Sequence, residues 1–153
     1  AVAAVEEARR AGALTIALAN NLPAALLEAG EHPIALPTGA EVVAGSTRLA
    51  AGTAQKAALN TLSTAIMVGL GRTYGNLMVD VAARNTKLDA RRLALVRRIA
   101  GVDAARAEAA LVAAEGHVKT AVLVVRGDTA EGARDRLARH RGRLRAALAE
   151  QGA

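Results

Sequence analysis

Residues 14–36, LTIALANNLPAALLEAGEHPIAL, decide the fold class of this chain. Residues 14–19 form a short apolar run with a β-branched centre, and residues 32–36, HPIAL, give a second candidate strand. Runs of this length and composition are typical of buried parallel strands. Residues 23–29 between them, and residues 2–11 before them, have the composition and spacing of helices. The order helix, strand, helix, strand predicts an α/β fold with parallel strands.

The composition limits the kinds of site and compartment. The chain has no cysteine and only three scattered histidines, so it offers no disulfide and no metal-ligand spacing. We therefore expect no cofactor, and a reducing cytoplasm as the compartment. The N-terminus has no signal-peptide pattern, and no apolar run reaches the about 18 residues that a membrane span needs. No membrane partner is expected.

The net charge of +6, from 20 Lys and Arg against 14 Asp and Glu, raises the question of nucleic acid. The arginines are concentrated in residues 91–98 and 134–145. Single-strand binders also use stacking aromatic side chains, and this chain has one Tyr, no Phe and no Trp. Solvated helix faces explain the arginines better, so no nucleic-acid partner is expected. A steep salt dependence of binding would be the mark of one.

The second half of the chain is predicted to be largely helical. A long, mostly buried helix is expected over 47–70. A helix over 86–100 follows, with Asn85 as its N-cap, and further helices are expected over 103–115 and 129–150.

Two short stretches are ambiguous on local grounds. Residues 76–81 fit either a strand or a helix. Residues 117–126 contain Ala-Val-Leu-Val-Val, which intrinsic propensity assigns to a strand.

Residues 38–56, TGAEVVAGSTRLAAGTAQK, form the most distinctive stretch. They leave a predicted strand, cross a loop that contains Glu41, and enter a helix at Gly45-Ser46-Thr47-Arg48. Hydroxyls at a helix start accept hydrogen bonds from free N–H groups, and the positive helix end favours an anion. With Arg48 adjacent, the stretch fits the edge of a phosphate site. The alternative is an ordinary N-cap beside a surface arginine.

The same stretch resembles the N-acetylmuramic acid 6-phosphate etherases, which belong to the sugar isomerase (SIS) domain superfamily. In that family a Glu-containing loop precedes Gly-Ser-Thr-Arg and then Ala-Gly-Thr-Ala-Gln-Lys. The resemblance covers nearly the whole chain and continues through residues 59–60, 62–64, 74–81, 85 and 87–88.

The resemblance implies a specific architecture. Residues 1–84 would be the C-terminal half of a three-layer αβα SIS domain with parallel strands. Residues 85–153 would be a small all-helical subdomain similar to the ubiquitin-associated fold. On this ground we expect residues 117–126 to be helical, against their local propensity.

The resemblance also implies an activity. Family members are lyases of peptidoglycan recycling that cleave the D-lactyl ether of N-acetylmuramic acid 6-phosphate, giving N-acetylglucosamine 6-phosphate and D-lactate without a metal. The reaction eliminates lactate across the C2–C3 bond of the sugar and then adds water, with positioned groups moving the protons. The two family glutamates that do this lie in segments preceding those present here. No catalytic residue is therefore expected in this chain, and inactivity without the N-terminal half is expected.

Four residues are expected to contact the sugar phosphate: Glu41, Ser46, Thr47 and Arg48. Lys56 could be structural or could lie near the site. One departure is Ala50, where family members commonly have Lys, and it puts retained binding in question. The resemblance further implies a homodimer with the site near the subunit interface.

A non-catalytic alternative stays open, because regulatory proteins with a similar motif bind sugar phosphates without turning them over. Two short parallel strands also cannot make a stable two-faced sheet, because sheets usually need three or more strands to cover the helices packed on them. We therefore expect residues 2–11 and 47–70 to expose apolar surface.

Overall fold

The computed structural model describes residues 1–81 and 85–150, which form parts of two compact units, Ala1–Ser63 and Thr64–Ala153. Within the described ranges, no helix combines the length and apolar character that crossing a membrane requires.

The first unit has the predicted alternation of helices and strands. Its strands β1 and β2 pair in parallel, with Ile16 opposite His32 and Ala19 opposite Ala35. The elements are α1 (Val2–Arg10), β1 (Ile16–Ala19), α2 (Ala25–Ala29), β2 (His32–Ala35) and the first part of α3 (Ala50–Gly69). This confirms the α/β class with parallel strands. The expected burial of the strands is wrong, because Ala17 is the one buried residue among the eight residues of β1 and β2.

Close packing at the start of β2 explains one glycine. A Cβ atom at Gly30 would lie 2.5 Å from the Cβ of Ala17, so only glycine fits between α2 and β1. The Thr15 side chain adds a second contact between these segments, because its Oγ1 accepts a hydrogen bond from the Glu31 N–H at 3.1 Å. Both strands are thereby held in register at their N-terminal ends.

Helix α3 departs from its prediction in two respects. It begins at Ala50, not Thr47. Of its 20 residues, all of them described, Ala51 is the buried one, so the prediction of a mostly buried helix is wrong. Apolar positions of a helix are buried only where another element covers them, and Leu59, Ile66 and Val68 are each more than half exposed. The expectation of exposed apolar surface is thus confirmed for α3.

The second unit is built around a short apolar helix. Helix α6 packs against α4, α5 and α7, and five of its eight residues are buried. Residues buried on most sides of a helix can be β-branched without exposing apolar surface, so burial overrides the local strand propensity. The expected helix over 117–126 is confirmed. The elements are β3 (Thr73–Tyr74), β4 (Leu77–Met78), α4 (Thr86–Ala100), α5 (Ala104–Ala113), α6 (Val118–Val125), α7 (Ala130–Arg139) and α8 (Leu144–Ala149).

Three of these helices begin where side-chain caps predict. Asn85 accepts from the Leu88 N–H at 3.0 Å, Asp103 from the Arg106 N–H at 2.8 Å, and Thr129 from the Gly132 N–H at 3.0 Å. Helix α4 ends at Ala100, and the Gly101 that caps it has a φ of 71°, which glycine readily adopts.

The prediction of a single helix over 129–150 is wrong, because α7 ends at Arg139 and a separate helix, α8, follows. Arg141 and Gly142 both have positive φ, and the Gly142 N–H donates to the Leu137 carbonyl at 2.7 Å. This turn ends α7 before α8 begins. Of the ambiguous residues 76–81, Leu77–Met78 form a strand, which pairs antiparallel with Thr73–Tyr74.

The predicted domain boundary between residues 84 and 85 stays a prediction, because residues 82–84 lie outside the described residues. The compact units divide instead between Ser63 and Thr64.

An ion pair stabilises the second unit. Lys119 on α6 places Nζ 3.0 and 3.1 Å from the two oxygens of Asp80, which follows β4. The same ammonium donates to the Gly142 carbonyl at 3.0 Å, and its side chain is 13% exposed. One amino group thus joins the residues after β4 to the turn between α7 and α8.

Replacing Asp80 by Asn should lower the free energy of unfolding by about 1–2 kcal/mol, because a mostly buried ammonium loses its charged partner. Denaturant titration followed by circular dichroism measures this. The matched control, Asp135→Asn on the exposed face of α7, should change stability by less than about 0.5 kcal/mol. Equal effects of the two variants would contradict the importance of the pair.

Truncating the centre of α6 tests the packing of the second unit. Leu123 is fully buried, so Leu123→Ala should cost about 2–5 kcal/mol through lost burial and a residual cavity. The same change at Leu70, which is 54% exposed, should cost far less. Comparable losses in thermal unfolding would show that α6 is not the core of this unit.

Candidate functional site

A cleft of about 390 Å³ opens at the carboxyl ends of β1 and β2, within the first unit. Open α/β sheets commonly bind ligands at this edge, and the volume lies at the small end of the usual range for ligand pockets. The cleft is lined by Leu18, Ala19, Asn20, Asn21, Ala24, Leu26, Thr38, Gly39, Glu41, Thr47, Ala51 and Gln55.

Amide and hydroxyl side chains supply most of the polar lining. They come from the residues after β1, the loop after β2 and the first turns of α3, while Leu18 and Leu26 supply apolar surface. Among the lining residues just named, Glu41 is the one with an ionisable side chain, and none is Lys or Arg.

The Glu41 carboxylate caps helix α3. Its Oε2 accepts from the Ala50 N–H and its Oε1 from the Ala51 N–H, both at 2.9 Å. The first N–H groups of a helix have no partner within the helix, and a carboxylate there also suits the positive helix end. The expectation that Ser46 and Thr47 lie at the helix start is therefore wrong, because Glu41 supplies the cap at Ala50.

The other three predicted contact residues lie in the loop before α3. Thr47 lines the cleft, and its carbonyl accepts from the Gly52 N–H at 2.8 Å. Arg48 donates through Nε to the Ser46 Oγ at 3.3 Å, and neither residue is among those lining the cleft. The structure thus brings Glu41 and Thr47 to the cleft and leaves Ser46 and Arg48 beside it. Lys56 is exposed on α3 and does not line the cleft.

An amide pair joins the two strands to α3. Asn20 donates through Nδ2 to the Leu36 carbonyl at 3.0 Å and to the Ala51 carbonyl at 3.5 Å. Its Oδ1 accepts from Nε2 of Gln55 at 2.6 Å. One side chain directly after β1 therefore contacts the end of β2 and the first turns of the helix.

Sequence reasoning missed Asn20, Asn21, Thr38 and Gln55 as lining residues. The available signal was the position of Asn20 and Asn21 directly after a buried strand, where polar residues at the sheet edge face a ligand crevice. Gln55 carried no such signal, because it meets Asn20 across 35 residues of chain.

Metal binding has no visible basis in residues 1–81 and 85–150, where no group of three or more His, Asp or Glu side chains is placed to hold an ion.

Comparison with known proteins gives a consistent set of relatives, although no family model matches the chain. It is 53% identical over 148 residues to the N-acetylmuramic acid 6-phosphate etherase of Deinococcus radiodurans, covering 96% of this chain and 48% of that protein. The etherase of Streptomyces coelicolor is 53% identical over 150 residues, covering 97% and 48%. That of Escherichia coli O1:K1 is 44% identical over 151 residues, covering 98% and 51%.

The chain therefore spans about half the length of these relatives. By sequence it is a homologue of the N-acetylmuramic acid 6-phosphate etherases along almost its whole length.

Proposed function

We propose that this chain is the C-terminal part of an N-acetylmuramic acid 6-phosphate etherase and that its cleft forms part of the sugar-phosphate site. The observation that carries the proposal is 53% identity to proteins of that name over 96% of the chain. The cleft supports it, because it lies where α/β sheets bind small ligands. The etherase names of the relatives favour this enzyme over a non-catalytic regulatory module.

The reaction itself would require groups beyond this chain. Elimination of D-lactate breaks the C3–O bond after a base takes the C2 proton, and water is then added to the double bond. Glu41 is the carboxylate of the cleft, and both of its oxygens already accept backbone hydrogen bonds. It is better suited to holding the helix start than to moving a proton. We assign the acid and base to the other half of the enzyme.

The phosphate group would lie at the rim of the cleft. Thr47 lines the cleft and Arg48 is the next residue in the chain, so the proposal places the phosphate between the cleft and the Arg48 side chain. Among residues 1–81 and 85–150, Arg48 has one side-chain hydrogen bond, from Nε to Ser46, so its two terminal nitrogens are available for a phosphate. Ser46, Thr47 and Arg48 would then be the contact residues, with Glu41 supporting them.

The complete enzyme would be a cytoplasmic homodimer. Its first domain would have the SIS fold, and its helical second unit would resemble a ubiquitin-associated fold. These assignments rest on the family resemblance.

Ligand binding and product release test the proposal together. The purified chain should bind N-acetylglucosamine 6-phosphate in isothermal titration calorimetry but should release no D-lactate from N-acetylmuramic acid 6-phosphate. A full-length relative, such as the Deinococcus radiodurans enzyme, is the positive control. Arg48→Ala should weaken binding about tenfold, or about 1.4 kcal/mol, while Arg97→Ala in the second unit should leave it unchanged. Absence of binding would overturn the proposed site, and lactate release would place the acid and base in this chain.

The role of Glu41 can be separated from direct ligand contact. Glu41→Gln replaces one acceptor oxygen by a donor, which leaves the N–H of Ala50 or Ala51 without a partner. We expect faster amide hydrogen exchange at those two residues by NMR and a loss of about 1–2 kcal/mol in stability. Glu6→Gln, on the exposed face of α1, is the matched control and should change neither. Unchanged exchange combined with lost ligand binding would instead mean that Glu41 contacts the ligand.

A further inference from the structure

Hydrogen-bonding geometry fixes the orientation of the Asn20 side chain. Its terminal amide faces the carbonyl oxygens of Leu36 and Ala51, which can only accept hydrogen bonds. The nitrogen of the amide must therefore point at them, since an amide oxygen there would place acceptor against acceptor. The Oδ1 of Asn20 consequently faces the other way, toward Gln55.

The orientation of Gln55 follows from that of Asn20. Facing an acceptor, Gln55 donates through Nε2 at 2.6 Å. This is the one side-chain hydrogen bond of Gln55 within the part of the chain that the structure describes. Its Oε1 and its second N–H therefore remain for a ligand, on a side chain that lines the cleft.

Most of the remaining lining is also neutral, and Glu41 is the one ionisable residue among the lining residues. Thr38 and Thr47 offer hydroxyl groups, and Leu18 and Leu26 offer an apolar surface. A phosphate placed inside the cleft would meet the Glu41 carboxylate and no cationic lining residue, which is unfavourable for a dianion. A neutral, hydrogen-bonding part of a ligand fits the cleft better.

We propose that Gln55 is a specificity-determining residue that binds the neutral part of an amino-sugar phosphate, accepting through Oε1 from a sugar hydroxyl or the acetamido N–H. Asn20 is the positioning residue that holds the Gln55 amide in this orientation. The inference rests on the proposed function, because it takes a sugar phosphate as the occupant of the cleft. It adds that the phosphate lies outside the amide-lined part.

The test compares ligands with and without the sugar. Isothermal titration of the chain with N-acetylglucosamine 6-phosphate and with inorganic phosphate should show a preference for the sugar phosphate. Gln55→Ala should weaken binding of the sugar phosphate about tenfold and leave binding of inorganic phosphate unchanged. Asn60→Ala, an exposed amide on the same helix, is the matched control and should affect neither ligand.

The positioning role has its own variants. Asn20→Asp keeps an oxygen toward Gln55 but turns a second oxygen toward the carbonyls of Leu36 and Ala51. It should lose sugar-phosphate affinity as Gln55→Ala does. Combining the two changes should weaken binding no further, because both act through the same amide. Circular dichroism checks that each variant stays folded.

The outcomes separate the two proposals. If the wild-type chain binds and Arg48→Ala weakens binding while Gln55→Ala does not, the role of Gln55 is overturned and the proposed function stands. If Gln55→Ala weakens binding of inorganic phosphate as much as binding of the sugar phosphate, the cleft binds the phosphate group and the inference is overturned. If the wild-type chain binds neither ligand, the proposed function fails and the inference fails with it.

Discussion

The free N–H groups at the start of α3 are the constraint on which the first unit depends. Ser46 and Thr47 lie nearer in sequence, yet the acceptor comes from Glu41, nine and ten residues before the two donors. Closing this link folds the loop over the carboxyl ends of the strands and brings Thr47 to the cleft. The Glu41 side chain thus both caps α3 and shapes the cleft. An aspartate would be one methylene shorter, and a hydroxyl could not accept from both N–H groups with separate oxygens.

The second unit is stabilised by a core of small and medium-sized apolar side chains. It has almost no aromatic residues, so its interior is filled by alanine, valine and leucine on closely spaced helices. Alanine at the contact faces of α5, α7 and α8 allows close approach to neighbours, and the larger side chains of α6 fill the centre. Such a core has few strong single contacts. The ion pair of Lys119 with Asp80 is therefore important for stability, because it joins segments 39 residues apart in sequence.

The distance in sequence between interacting groups explains what could be predicted. Asn85, Asp103 and Thr129 bond to N–H groups three residues later, so their caps were visible in the sequence. The Glu41 cap and the pairing of Asn20 with Gln55 join groups 9 to 35 residues apart, and local rules do not reach them. Local propensity also gave the wrong structure for the Val-rich α6, where the family resemblance gave the right one. The burial of α3 was overestimated because periodicity reports an apolar face without reporting what covers it.

Under the proposed function, a cleft lined mostly by neutral groups, together with Arg48 in the loop before α3, divides recognition into two physical tasks. Charge attracts any phosphate, so an arginine supplies affinity but little discrimination among phosphorylated ligands. Fixed neutral groups discriminate, because a site built to hydrogen-bond a hydroxyl or an amide leaves its own groups unpaired when the ligand lacks the match, a penalty that can reach factors of about 10⁴. Such groups work best when already oriented, since no side-chain freedom is then lost on binding. Asn20 meets that condition for Gln55 by using three hydrogen bonds within the protein. The proposed function thus assigns selectivity to the amide pair of Asn20 and Gln55 and attraction to Arg48, which is not among the residues lining the cleft.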